Sequence, residues 1–192
     1  FLIAFAIKLG ASNFVIGLLA AIGPLSQLLQ LPSIFLVEKI RNRRLITVVA
    51  AGLSRICWLI IALSPFIFPA KVAIAVLLIL LLVVSAFGAV SGCSWNSWMR
   101  DLIPENIMGA FFSKRMRIAT GVGIALSVLA AVYLDFWKQR FAEQELAGYS
   151  VLFIVGFASG VIGLFFLAKT PEVRMPRVQQ RPKILKLLSQ PF

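Results

Sequence analysis

The sequence predicts an all-α integral membrane protein, a bundle of six transmembrane helices of which the first is truncated. Three observations predict it. Of the 192 residues, 60% are hydrophobic and 14% charged, where soluble domains are about 45–50% apolar and about 25% charged. The apolar residues gather in runs of about 20, the length at which a helix crosses the hydrocarbon core, and they lack the period-two alternation of barrel strands. The basic residues fall mostly in alternate connections between those runs. No soluble interior of this length hides so much apolar surface, so lipid is the solvent for most of the chain.

Residues 1–9 read as the stub of a first span. The chain opens at Phe1 directly into apolar sequence. With no basic leader, a signal peptide is a poor reading, and the chain is expected to be a fragment that starts inside a helix. Residues 14–37 form the second span, closed by the charged segment from Glu38 to Arg44; Pro24 and Pro32 inside it are expected to bend it. Residues 45–68 are the third, ending around Pro65 and Pro69, and 72–99 the fourth. Residues 118–136 and 149–168 complete the set. Gly88 and Gly92, and Gly156 and Gly160, have the spacing that lets helices approach closely within the bundle. The helix bundle thus covers 1–168, and 169–192 reads as a basic cytoplasmic linker, with 183–188 as a short surface helix.

The net charge is +12. In a soluble protein this would point to nucleic acid, but here the charges lie in short connections. Loop 38–44 holds Lys39, Arg41, Arg43 and Arg44 against Glu38. Loop 100–117 holds Arg100, Lys114, Arg115 and Arg117 against Asp101 and Glu105, and the tail 169–192 adds six bases against Glu172. Fourteen of the 19 basic residues therefore share one side. The other side holds Lys8, Lys71, Lys138 and Arg140, with Asp135, Glu143 and Glu145 near the last two. The positive-inside rule makes the basic side cytoplasmic, places both chain ends there, and makes lipid rather than nucleic acid the partner.

His is absent, which removes the commonest proton relay and metal ligand. Cys57 and Cys93 fall within apolar spans and read as packing residues. Gly121 and Gly123 belong to an apolar helix, not a phosphate loop, and no nucleophile–base set occurs. No enzymatic activity, metal or cofactor is expected.

The helix order, with a basic loop after the second span and a basic linker after the sixth, resembles the amino-terminal half of the major facilitator superfamily. Two stretches sharpen the resemblance. Glu38 and Lys39, followed by Arg43 and Arg44, are similar to that family's loop between helices two and three; both its glycines are absent here, and the spacing has one extra residue. The stretch from Trp98 through Asp101, Pro104 and Glu105 to Gly109, Lys114, Arg115 and Arg117 is similar to the loop between helices four and five of many prokaryotic members. The resemblance implies half of a twelve-helix transporter fold, with the carboxy-terminal half missing. It also implies a small-molecule substrate held near mid-membrane and moved by alternating access. The expected location is the plasma membrane, a prokaryotic inner membrane. From the family, Glu38, Lys39, Arg43, Arg44 and Asp101 are expected to form a cytoplasmic charge latch.

Arg55 is the one charged residue deep inside a span, which suggests a polar partner or cavity. Gln27 and Ser91 are expected at a similar depth, so that Arg55, Gln27 and Ser91 form a polar belt at the substrate region. The bland alternative is an Arg55 that snorkels or ties helices together. Gln30 is a further candidate, either lining the vestibule or bridging helices. Trp95 and Trp98 read as interfacial anchors beside Asn96. No carboxylate lies in the middle of a span, so any proton-coupling acid would lie elsewhere. The competing function is a non-transporting membrane scaffold or assembly factor on the same fold, since fold does not fix function. An intramembrane enzyme would need convergent His, Asp or Ser groups at one depth, and these are missing.

Overall fold

The computed structural model describes residues 1–141 and 144–173, so most of the linker expected over 169–192, with its surface helix at 183–188, lies outside the described residues. Among these described residues seven α-helices follow one another: α1 (Leu2–Lys8), α2 (Asn13–Ser26), α3 (Gln30–Ile40), α4 (Arg43–Ile67), α5 (Ala70–Leu102), α6 (Glu105–Arg140) and α7 (Glu145–Lys169). A single 3-10 turn, Gln27–Leu29, joins α2 to α3, so Asn13–Ile40 is one rod of 28 residues. This rod and α4 to α7 make five helices long and apolar enough to cross a membrane. The chain is thus a helical, multi-pass membrane protein. At seven residues α1 is too short to span.

The five long helices cover the second to sixth expected spans but overrun them. The expected loop 100–117 is helical except for Ile103 and Pro104: α5 continues to Leu102 and α6 starts at Glu105. Hydropathy falls where a helix leaves hydrocarbon, but the helix need not stop there. At 1.5 Å per residue α6, with 36 residues, is about 54 Å long against a hydrocarbon core of about 30 Å. Trp95 on α5 packs on Phe112 of α6, ring centroids 6.0 Å apart. The chain thus turns from α5 into α6 at Ile103 and Pro104, at the basic end.

The helix α4 is central, packed against α5 on one side and α7 on the other, with the α2–α3 rod on the far flank of α5. At the less basic end α1 inserts among the others. Phe5, fully buried, belongs to one apolar cluster with Leu19, Ile22, Ile61, Leu77 and Leu81, and its ring stands edge-on to Phe153 at 5.2 Å. Elsewhere the usual burial is inverted. Phe14, Leu129 and Phe166 are exposed while Arg43, Ser64 and Ser94 are fully buried, as expected where lipid replaces water.

The prolines act locally. Pro24 precedes the 3-10 turn, and Pro32 sits near the start of α3, where a missing N–H is tolerated. Pro65 lies inside α4 and cannot donate to the Ile61 carbonyl; the Ser64 hydroxyl does so instead, at 2.8 Å. The expected glycine contacts form at one position of four. A Cβ at Gly88, Gly92 or Gly156 would meet nothing within 4 Å, whereas at Gly160 it would strike Arg55. The α3 helix ends on Arg41 with φ +56°, a left-handed cap that a glycine fills without strain.

Candidate functional site

The densest polar cluster lies at the basic end, around the first residue of α4. Asn42 caps that helix, its side-chain oxygen accepting from the Leu45 N–H at 2.9 Å. Arg43 follows, fully buried. Its Nη1 donates to the Asp101 carboxylate at 2.5 Å and to the Ser97 carbonyl at 3.0 Å, both on α5. Its Nη2 donates to the Val173 carbonyl at 2.9 Å, beyond the end of α7.

The remaining groups close the cluster. The Glu172 carboxylate accepts the backbone N–H groups of Arg43, at 3.3 Å, and Arg44, at 2.6 Å. An acid there satisfies donors that the first turn of α4 leaves free and meets the positive end of its dipole. Its Oε1 also lies 3.6 Å from Arg43 Nε, an ion pair without a formed hydrogen bond. The Ser94 hydroxyl donates to the Arg43 carbonyl at 3.0 Å, and the Trp98 indole N–H to the Pro171 carbonyl at 3.0 Å. One arginine thus holds the start of α4, the end of α5 and the segment after α7 together.

Of the five expected latch residues the structure brings together Arg43, Asp101 and the Arg44 backbone. The Arg44, Lys39 and Glu38 side chains are on exposed residues outside this cluster. Glu38 instead lines a cleft of about 360 Å³ between α3 and α5, with Ile34, Val37, Cys93, Asn96, Ser97 and Arg100. Glu172, the acid facing Arg43 from across the bundle, was not among the expected site residues. Its signal in the sequence is its position, the lone acid among the bases of 169–192. Trp98 is fully buried and hydrogen-bonded, not an interfacial anchor. Trp95, half-buried, carries the Arg115 guanidinium 4.1 Å above its ring.

The expected polar belt does not assemble. The Ser91 hydroxyl donates to the Thr47 carbonyl at 3.4 Å, which places it one turn above Arg43. Arg55 lies eight residues farther along α4, about 12 Å deeper. Gln27 is exposed and accepts from the Gln30 amide, its neighbour on the same rod. Arg55 itself, half-buried, turns toward α7 and lies across Gly160, where an added Cβ would strike its Nε. The three residues sit in three separate places because the faces of α4 diverge: Arg43 and Thr47 look at α5, Gly52 and Arg55 at α7.

At the opposite end Lys8 of α1 forms an ion pair with Glu145 at the start of α7, beside Asp135, Lys138 and Tyr149. Comparison with protein-family models, with curated proteins and with solved structures finds no match to the chain.

Proposed function

We propose that this chain is the amino-terminal half of a secondary active transporter of the major facilitator type. It moves a small solute across a prokaryotic inner membrane by alternating access, with its basic end in the cytoplasm. The observation that carries the reading is the Arg43 cluster. Alternating access by rocking requires each half to move as one body. A buried guanidinium joined to Asp101 on α5 and Val173 beyond α7 ties the ends of three helices together. The cluster also occupies the place where the sequence resemblance implies a charge latch. In this reading Arg43 and Asp101 make the latch, Glu172 reinforces it, and the exposed Glu38, Lys39 and Arg44 face the cytoplasm or the partner half.

The test is reconstitution of the full-length gene product in vesicles, with uptake measured across a panel of labelled solutes under imposed gradients. Saturable uptake of at least one solute, abolished or slowed by Asp101→Asn in a protein that still folds, supports the proposal. Absence of flux for every solute class, from protein that is folded and correctly inserted, would favour the scaffold reading.

A further inference from the structure

Helix periodicity builds the cleft between α3 and α5. Ile34, Val37 and Glu38 recur at i, i+3 and i+4 on α3, so one face of that helix forms one wall. The other wall is one face of α5, with Cys93, Asn96 and Arg100 at i, i+3 and i+7. Glu38 and Arg100 each stand two residues before the end of their helix, at the basic end. Ile34 lies about 6 Å deeper than Glu38, and Cys93 about 10 Å deeper than Arg100. The cleft therefore has a charged mouth, an amide at Asn96 and an apolar floor. Its volume of about 360 Å³ falls in the range of small-molecule sites, about 300–1,000 Å³.

The two charges at the mouth are opposite and unspent. Among the described residues neither Glu38 nor Arg100 forms an ion pair, with each other or with any neighbour. The acid next to Arg100 in sequence, Asp101, is engaged by Arg43. Beside Glu38, the Arg41 Nε donates to the Glu38 backbone carbonyl, at 3.4 Å, and not to its carboxylate. Both side chains belong to exposed residues, so each is open to a ligand.

We infer that this cleft binds a zwitterion, an ammonium and a carboxylate or phosphate carried on one small solute or one lipid headgroup. The ammonium meets the Glu38 carboxylate, and the Arg100 guanidinium takes the oxyanion through paired N–H donors. The Asn96 amide, which both donates and accepts, serves either end, and an apolar substituent rests on Ile34, Val37 and Cys93. A simple anion is repelled by Glu38 and a simple cation by Arg100, so selection comes from repulsion as well as attraction. The site does not depend on transport: binding without flux of any solute leaves it intact.

The test uses the full-length protein in nanodiscs of phosphatidylglycerol, with leucine, glycine and phosphoethanolamine as zwitterions and acetate and methylammonium as half-ligands. Thermal unfolding is the first readout; at a hundredfold excess over Kd a bound ligand raises the midpoint by about 5 °C. The expected result is such a rise with at least one zwitterion and with neither half-ligand, lost in Glu38→Gln and in Arg100→Gln. Acetate should gain a rise in Glu38→Gln, where its repulsion is removed. The second readout needs no charge variant: in protein whose lone cysteine is Cys93, the same zwitterion should slow alkylation by N-ethylmaleimide. Nanodiscs with added phosphatidylethanolamine separate the two sources. If the lipid alone raises the midpoint and shields Cys93, and free zwitterions then add nothing, the headgroup is the ligand; protection by a free zwitterion in both lipids makes it a solute. The inference is overturned if neither zwitterions nor phosphatidylethanolamine shift the midpoint or shield Cys93. Half-ligands that match the zwitterions, or a rise unchanged in both charge variants, overturn it equally.

Discussion

Removing the two acids around Arg43 should cost more than removing Arg43 itself. In Arg43→Met the acids left behind can recover water, because the Asp101 side chain is 37% exposed and that of Glu172 21%. The loss is then a set of hydrogen bonds from a charged donor, discounted by that rehydration, about 1–3 kcal/mol. In Asp101→Ala with Glu172→Ala the guanidinium stays, and its side chain is 1% exposed. It keeps only neutral acceptors, the carbonyls of Ser97 and Val173 and the Ser97 hydroxyl. Breaking a buried pair from this side costs about 3–5 kcal/mol, and loss of the Glu172 carboxylate from the first turn of α4 adds about 1 kcal/mol. The triple variant removes the stranded charge and should be more stable than the double variant, although it carries one more substitution. Thermal unfolding of the purified protein, followed by tryptophan fluorescence because Trp98 sits in the cluster, orders the three. If the double variant is no less stable than Arg43→Met, or if the triple variant falls below both by the sum of their losses, the cluster is not a buried electrostatic unit.

Other consequences are as direct. Arg41→Gly should stabilise the protein by about 1 kcal/mol, since a non-glycine residue at φ +56° carries a left-handed penalty that glycine escapes; a lowered or unchanged midpoint contradicts this. Gly148→Val places a side chain against the Trp137 ring, 2.8 Å from where its Cβ falls, and disturbs the indole hydrogen bond to the Gln144 carbonyl. A loss of about 1–3 kcal/mol is expected in the same unfolding assay. Lys8→Ala should lower the unfolding midpoint little, and not at all in high salt, because the Lys8 side chain of its ion pair is 41% exposed. Single cysteines at positions 39 and 138, in a chain with Cys57 and Cys93 replaced by serine, should react with an impermeant thiol reagent from opposite faces of the membrane; labelling from one face overturns the topology.

The helices were legible because crossing hydrocarbon demands a length and a composition that few other structures share. The same criterion misplaced their ends. Residues 105–117 are polar and basic, so they read as a loop, yet Glu105, Met108, Ala110, Lys114 and Arg115 are good helix formers that extend α6 past the lipid. The site was legible in kind but not in membership. Arg43 and Arg44 are equivalent to a charge count, but about 100° of helical rotation buries one side chain and exposes the other. Glu172 is 129 residues from its partner, a distance over which no local pattern speaks. Depth counted from helix ends failed for Ser91, because α5 runs beyond the start of α4 and its residues near the basic end lie lower than the count suggests.

The two arginines of α4 show how the same residue is handled under opposite constraints. Arg43 at the helix start is buried completely, and the fold surrounds it with two acids and two carbonyls contributed by α5 and by the segment after α7. Arg55, three turns deeper where an unpaired charge costs more, receives only a glycine and the space above it. A purely structural arginine would be expected to show the reverse pattern, with the better-satisfied residue in the less polar place. Arg55 is thus a charge to which the described helices supply a packing notch but no ion-pair partner. That argument is independent of any family resemblance. It depends on the depth of one side chain and on the absence of acids among the apolar stretches that surround it.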